Sequence, residues 1–174
     1  MLSPSRYPLL LSALLAGYAV TTPARAAMDN KPISLMSCQP LYSGTPSDPA
    51  LLRFRHEGIT NNYNVSKYIV CPLPKDAEKL WKQSAGLSHI FIPFKQELGG
   101  APAAGNACIL AVGSPASGTM KTSILMAEAL DEVNGLVVFD NKSTPEAGNT
   151  DAATLICLIA AHNTLQELNL REEN

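Results

Sequence analysis

Hydrophobic positions along this chain recur mostly with a period of two. Across residues 51–57, Leu52, Phe54 and His56 share one face, while Arg53, Arg55 and Glu57 share the other. That alternation marks a half-buried β-strand. The same reasoning predicts strands over residues 33–38, 65–71, 87–94, 107–113, 119–126 and 136–140. Residues 58–64 carry turn chemistry, because Gly58, Asn61, Asn62 and Asn64 tolerate left-handed backbone. Pro72 and Pro74 end the strand that holds Tyr68, Ile69 and Val70, and Pro93 predicts an edge or a bulge. Residues 153–160 and 165–172 predict a closing hairpin around His162-Asn163, with Leu168 and Leu170 facing in.

Helical spacing is clearest over residues 76–85, where Ala77, Leu80 and Trp81 follow a capping Asp76 and precede Gly86. Met120, Ile124, Met126 and Leu130 could serve a strand or a helix; Ala127-Glu128-Ala129-Leu130 has helical propensity and Thr122-Ser123-Ile124-Leu125 does not, so the strand is read to about Met126. Residues 28–32 are polar and without period, and predict a mobile lead. The total is eight to nine short strands with one minor helix. That predicts an all-β fold, an antiparallel β-sandwich.

Residues 1–26 change the picture. Arg6 precedes an apolar run of about a dozen residues, shorter than the ~20 needed to span a membrane. Ala24-Arg25-Ala26 follows as a small-residue cleavage site. This is the pattern of a secretory signal peptide, and it predicts a single domain over residues 27–174. An uncleaved N-terminal anchor is the alternative. A lipid anchor is disfavoured, because Tyr18 stands where its cysteine belongs. The expected location is secreted or periplasmic, with no stable membrane span after processing.

Removing residues 1–26 from 174 leaves 148, enough for a real core. Arg6 and Arg25 go with the leader, so eleven bases remain against 15 acids, scattered along the chain. That balance argues against nucleic acid.

Cys38, Cys71, Cys108 and Cys157 all follow the cleavage site. In an exported chain they predict two disulfides, with three pairings open. Cys38–Cys71 with Cys108–Cys157 is favoured, since Cys108 and Cys157 both lie in near-continuous apolar runs of core-strand type. A metal site is disfavoured because no Cys-x-x-Cys or Cys/His spacing occurs. No cofactor is predicted.

Catalytic patterns are weak. His56-Glu57 lacks the second histidine of a zinc-protease helix, and His56 reads as a satisfied, partly buried imidazole. His89 falls on the exposed side of its strand and His162 in a solvated turn. Ser117 lacks the preceding Gly of a hydrolase elbow, since Pro115 stands there. Glu128, Asp131, Glu132, Asn134 and Asp140 are oxygen-rich but lack the EF-hand pattern, so a solvated loop is expected. Asn64-Val65-Ser66 and Asn141-Lys142-Ser143 match the glycosylation triplet. Tyr42, Tyr63 and Trp81 are the aromatic candidates for stacking on a sugar or peptide. Trp81 reads as a core plug, and Tyr63 as the better surface candidate.

Gly58-Ile59-Thr60-Asn61, Val70-Cys71-Pro72-Leu73 and the late Ala153-Thr154-Leu155-Ile156-Cys157-Leu158 resemble a group of uncharacterised exported proteins of proteobacteria. The chain departs from that group at Ile159-Ala160, where a proline often stands, and over residues 75–85. The resemblance implies a disulfide-bonded β-sandwich and no activity.

The expected function is an exported, non-catalytic binding or structural module with a protein or glycan partner. A hydrolase or enzyme inhibitor is one alternative. A subunit that adds a strand to a partner's sheet is another.

Overall fold

A computed structural model describes residues 28–41, 52–74, 87–114, 118–140, 142–145 and 152–173. These hold β1 (Met28–Ile33), β2 (Gln39–Pro40), β3 (Leu52–Arg55), β4 (Gly58–Asn61), β5 (Lys67–Leu73), β6 (Leu87–Gln96), β7 (Ala107–Ser114), β8 (Thr119–Met126), β9 (Glu128–Ala129), β10 (Asn134–Phe139), β11 (Ala152–Ile159), β12 (Asn163–Leu165) and β13 (Leu168–Glu173). Helical structure among the described residues is limited to two 3-10 turns, Leu35–Ser37 and Ala103–Gly105. The expected leader and the helix over residues 76–85 lie outside the described residues.

All strands pair antiparallel, in two sheets packed face to face as a β-sandwich. In the first sheet β6 is central. β10 pairs along one flank, from Asn134↔Lys95 to Phe139↔Ile90, and β9 pairs with β10. The other flank of β6 takes β12 and β13 end to end. β4 and then β3 lie beyond β12, and β1 lies beyond β13. The second sheet has the order β2-β5-β11-β7-β8.

The period of two makes the core. Ile90, Ile92 and Phe94 of β6, Val137 and Phe139 of β10, and Leu168 and Leu170 of β13 turn inward from the first sheet. Ile69 and Cys71, Leu110 and Val112, and Leu155, Cys157 and Ile159 form the inner face of the second sheet. Each large apolar side chain so buried contributes roughly 1.5–3 kcal/mol.

Both disulfides lie within the second sheet. Cys108 and Cys157 are direct cross-strand partners on β7 and β11. Cys38, just before β2, joins Cys71 on β5, and both bridges have a Cα–Cα distance of 4.1 Å. This is the pairing favoured from the sequence.

Several expectations need correction. Residues 33–38 are not one strand: β1 ends at Ile33, and Ser34 caps the 3-10 turn Leu35–Ser37. Pro72 lies inside β5, opposite Thr154, rather than ending it. The polar lead is strand β1, since Met28 to Ile33 pair with Glu173 to Leu168. Backbone ladder bonds, not apolar period, hold it there. Gly58–Asn61 is a strand rather than a turn; the turn of that hairpin is His56-Glu57. Pro93 sits in a central strand. Its carbonyl accepts from Gln166 N–H at 3.0 Å, so its nitrogen faces the same flank, at the break between β12 and β13. The missing donor therefore costs no ladder bond.

The closing hairpin is not a hairpin either. β11 belongs to the second sheet and β12 to the first, so the chain crosses the sandwich over Ala160, Ala161 and His162. His162 makes this corner with φ 52°, in left-handed backbone. Two buried asparagines hold the corner. Asn61 Nδ2 donates to Ile159 O at 2.9 Å and Ala160 O at 3.1 Å. Asn106 Oδ1 accepts from Ala160 N–H at 2.8 Å.

Candidate functional site: a polar cleft on the first sheet

Outward-facing residues of four neighbouring strands form one row on the first sheet. Arg53 of β3 opposes Thr60 of β4, Thr60 opposes Thr164 of β12, and Thr164 opposes Lys95 of β6. The inward neighbours of this row, Ile59, Phe94 and Leu165, are fully buried. The same alternation that builds the core thus forces these polar side chains onto the outer face.

A cleft of about 560 Å³ lies over this row, a size suited to a small ligand. Arg55, Glu57, Glu97 and Gln166 extend its lining, with Leu98 and His162 also part of the wall. Gly58 allows its floor. Its φ is 139°, and a Cβ there would overlap Leu165 O and press on Thr164 Cγ2.

The hydrogen bonds inside the cleft have a fixed direction. Thr164 Oγ1 donates to Glu97 Oε1 at 2.9 Å. Its one proton is therefore committed, and Thr60 Oγ1 must donate across the 2.9 Å contact to Thr164 Oγ1. Thr60 then presents only acceptor capacity to a ligand. Glu97 Oε1 also lies 4.0 Å from Lys95 Nζ.

Arg53 and Arg55 differ from Lys95. Both are exposed on the same face of β3, and neither has a hydrogen bond or ion pair among the described residues. Asn62 also lines the cleft, and its buried Nδ2 has no hydrogen-bond partner there. Free donors facing a cleft are groups a ligand can satisfy.

The three histidines make different contacts. His56 is in the β3–β4 turn with its side chain 89% exposed, 3.4 Å from Glu57. The expected buried imidazole is thus corrected, because β3 ends at Arg55. His162 is half-buried, and its Nε2 meets Asn64 Oδ1 at 2.8 Å, which is neither base nor nucleophile. His89 is half-buried and stacks on Phe91 at 5.6 Å instead of standing free. Thr164 is bonded to a carboxylate but only 5% exposed.

The oxygen-rich stretch is used on turns. Asp131 accepts from the Asn134 side chain and from Val133 and Asn134 N–H, which hold its carboxyl below the ordinary 3.8. Asp140, at the other end of β10, is lowered by Ser143 N–H and hydroxyl, then by Lys142. Among the described residues no three His, Cys, Asp or Glu side chains are grouped to hold a metal ion.

Tyr63 is half-buried against the core, with Lys67 Nζ 4.2 Å from its ring centre. It does not line the cleft. Tyr42, Trp81, Ser117 and Asn141 lie outside the described residues. The cleft itself escaped sequence reasoning, because its row joins positions 53, 60, 95 and 164. The only local sign was the polar half of the β3 alternation.

Among the described residues no helix is long and apolar enough to cross a membrane. Two disulfides suggest an oxidising, extracytoplasmic environment. No protein-family model and no curated protein matches the chain. Among solved structures it is similar to TmCBM61, determined in complex with β-1,4-galactotriose, at 8% identity over 86% of each chain and a TM-score of 0.34.

Proposed function

We propose that this protein is an exported, non-catalytic binding module that holds a short saccharide across the outer face of its first sheet. The observation that carries this reading is the Arg53–Thr60–Thr164–Lys95 row beneath a cleft of about 560 Å³. Donors at Arg53, Arg55 and Asn62 share the cleft with acceptors at Thr60 and Glu57. A polyhydroxylated ligand offers both kinds of partner, whereas an apolar one would strand these groups. Catalysis is disfavoured because His162 Nε2 meets an amide oxygen and the Thr164 hydroxyl proton is committed to Glu97.

The test is an amide chemical-shift titration of the purified protein with pooled short oligosaccharides, followed by analysis of the sugars. Shifts clustered at Arg53, Thr60, Lys95 and Thr164 with the sugars intact support the reading. Cleaved sugars overturn the non-catalytic part, and shifts confined to other surfaces overturn the site. Export is checked by intact mass of the cell's own product, which should begin within two residues of Ala27; retention of Met1 would overturn it.

A further inference from the structure

We infer that the ligand of this cleft is an acidic saccharide, read by Arg53 and Arg55 as a pair. This rests on the reading of the cleft as a saccharide site and adds the charge of the occupant. The cations there are not equivalent. Lys95 lies 4.0 Å from Glu97, so its end of the row is balanced. Arg53 and Arg55 have no hydrogen bond or ion pair among the described residues. The nearby Glu57 lies 3.4 Å from His56 Nε2, on the exposed turn.

Geometry sharpens the class. Arg53 and Arg55 are two residues apart on one strand face, which sets their backbones about 7 Å apart along β3. Two guanidiniums at that spacing suit successive anionic groups along a chain, each taken by planar, paired N–H donors. Three strand spacings separate Arg53 from Lys95, about 14 Å across the sheet. A short oligosaccharide can therefore place acidic groups at β3 while its hydroxyls extend over Thr60 toward Glu97. The cleft walls hold Arg53, Arg55 and Lys95 against Glu57 and Glu97, a positive excess in a chain whose formal net charge is −2. Among the described residues that line this cleft there is no Phe, Tyr or Trp, so what these residues offer a sugar is charge and hydrogen bonds.

The shared chemistry is a carboxylated or a sulfated sugar, and the experiment separates them. Calorimetric titrations would use a galacturonate trimer, a sulfated trisaccharide, a neutral galactose trimer and an oligo-glutamate peptide. At least one acidic sugar should bind about tenfold more tightly than the neutral trimer, and the advantage should shrink at about 0.5 M salt. Arg53→Gln and Arg55→Gln should each weaken that acidic sugar about tenfold, and Lys95→Gln by less than about threefold. All three positions are exposed, and unchanged melting curves would confirm that the variants are folded. Equal binding of neutral and acidic trimers, or no effect of either arginine variant, overturns the inference. If the neutral trimer still shifts the cleft amides, the saccharide-site reading survives that failure. If no sugar shifts them, both fall. Tighter binding of oligo-glutamate than of either acidic sugar overturns the assignment to saccharides.

Discussion

Asn106 Oδ1 accepts the backbone N–H of Ala160 at 2.8 Å, across 54 positions of sequence. Asn61 holds the same peptide region from the first sheet, through the carbonyls of Ile159 and Ala160. Both asparagines are fully buried. Replacing either with alanine strands buried backbone groups, at a cost of about 1–3 kcal/mol plus the lost packing. Asn106→Ala and Asn61→Ala should each lower stability by roughly 2–3 kcal/mol in denaturant melts. The double variant should lose less than the sum, since both act on one corner. Losses under about 0.5 kcal/mol would show that the corner holds without them.

The two disulfides should not be equal. They close loops of 33 and 49 residues, for which chain entropy gives about 4 kcal/mol each and a difference of only about 0.4 kcal/mol. Packing decides the order. Cys108 and Cys157 are fully buried on strands paired along both sides, while Cys38 sits beside the edge strand β2. Cys108→Ala/Cys157→Ala should therefore destabilise more than Cys38→Ala/Cys71→Ala. The reverse order in matched melts would refute this.

Gly58 links the β3–β4 hairpin to the cleft floor. Gly58→Ala would meet both an unfavourable φ of 139° and the Leu165 carbonyl. The expected loss is roughly 2–4 kcal/mol, with shifted amide resonances at Thr60 and Thr164. Gly99→Ala, at φ 77° but with open space around it, should cost about 1 kcal/mol. Equal losses would mean that backbone angle alone, not the close approach, sets the penalty.

Acid should weaken the β10 turns. Asp131 and Asp140 both titrate below their ordinary value of 3.8 in the fold. As pH falls, the unfolded chain takes up these protons first. Their contribution is thus full above about pH 4 and is lost as pH falls through the depressed folded values. Carboxyl chemical shifts followed against pH should place both midpoints below 3.8. Asp131→Asn should flatten the acid limb of the stability profile, and an unchanged limb would assign it elsewhere.

Strands with strong alternation were legible in the sequence. Leu168 and Leu170 face inward as their period requires. Residues 119–126, whose apolar spacing served strand or helix equally, form the largely exposed strand β8. Cys108 and Cys157 signalled core strands through their apolar neighbours, and they pair across β7 and β11. What failed were features set by partners distant in sequence. Met28-Asp29-Asn30-Lys31-Pro32 has no period of its own, and β13 makes it a strand. Asn61 looks like a turn former in isolation, yet it is a buried clamp because Ile159 and Ala160 end beside it. Local pattern also says nothing about which sheet a strand joins, so β11 and β12 looked like a hairpin.

The pairing of β1 with β13 has a consequence for biosynthesis. Met28 finds its partner at Glu173, and Ile33 at Leu168. A chain made from its N-terminus therefore releases β1 early, with no ladder partner until residues 168–173 exist. The Cys38–Cys71 bridge can already anchor the segment next to it by then, as β2 and β5 are neighbours. β1, the earliest of the described strands in the chain, is thus placed among the last, against an edge that the rest of the sheet must build first.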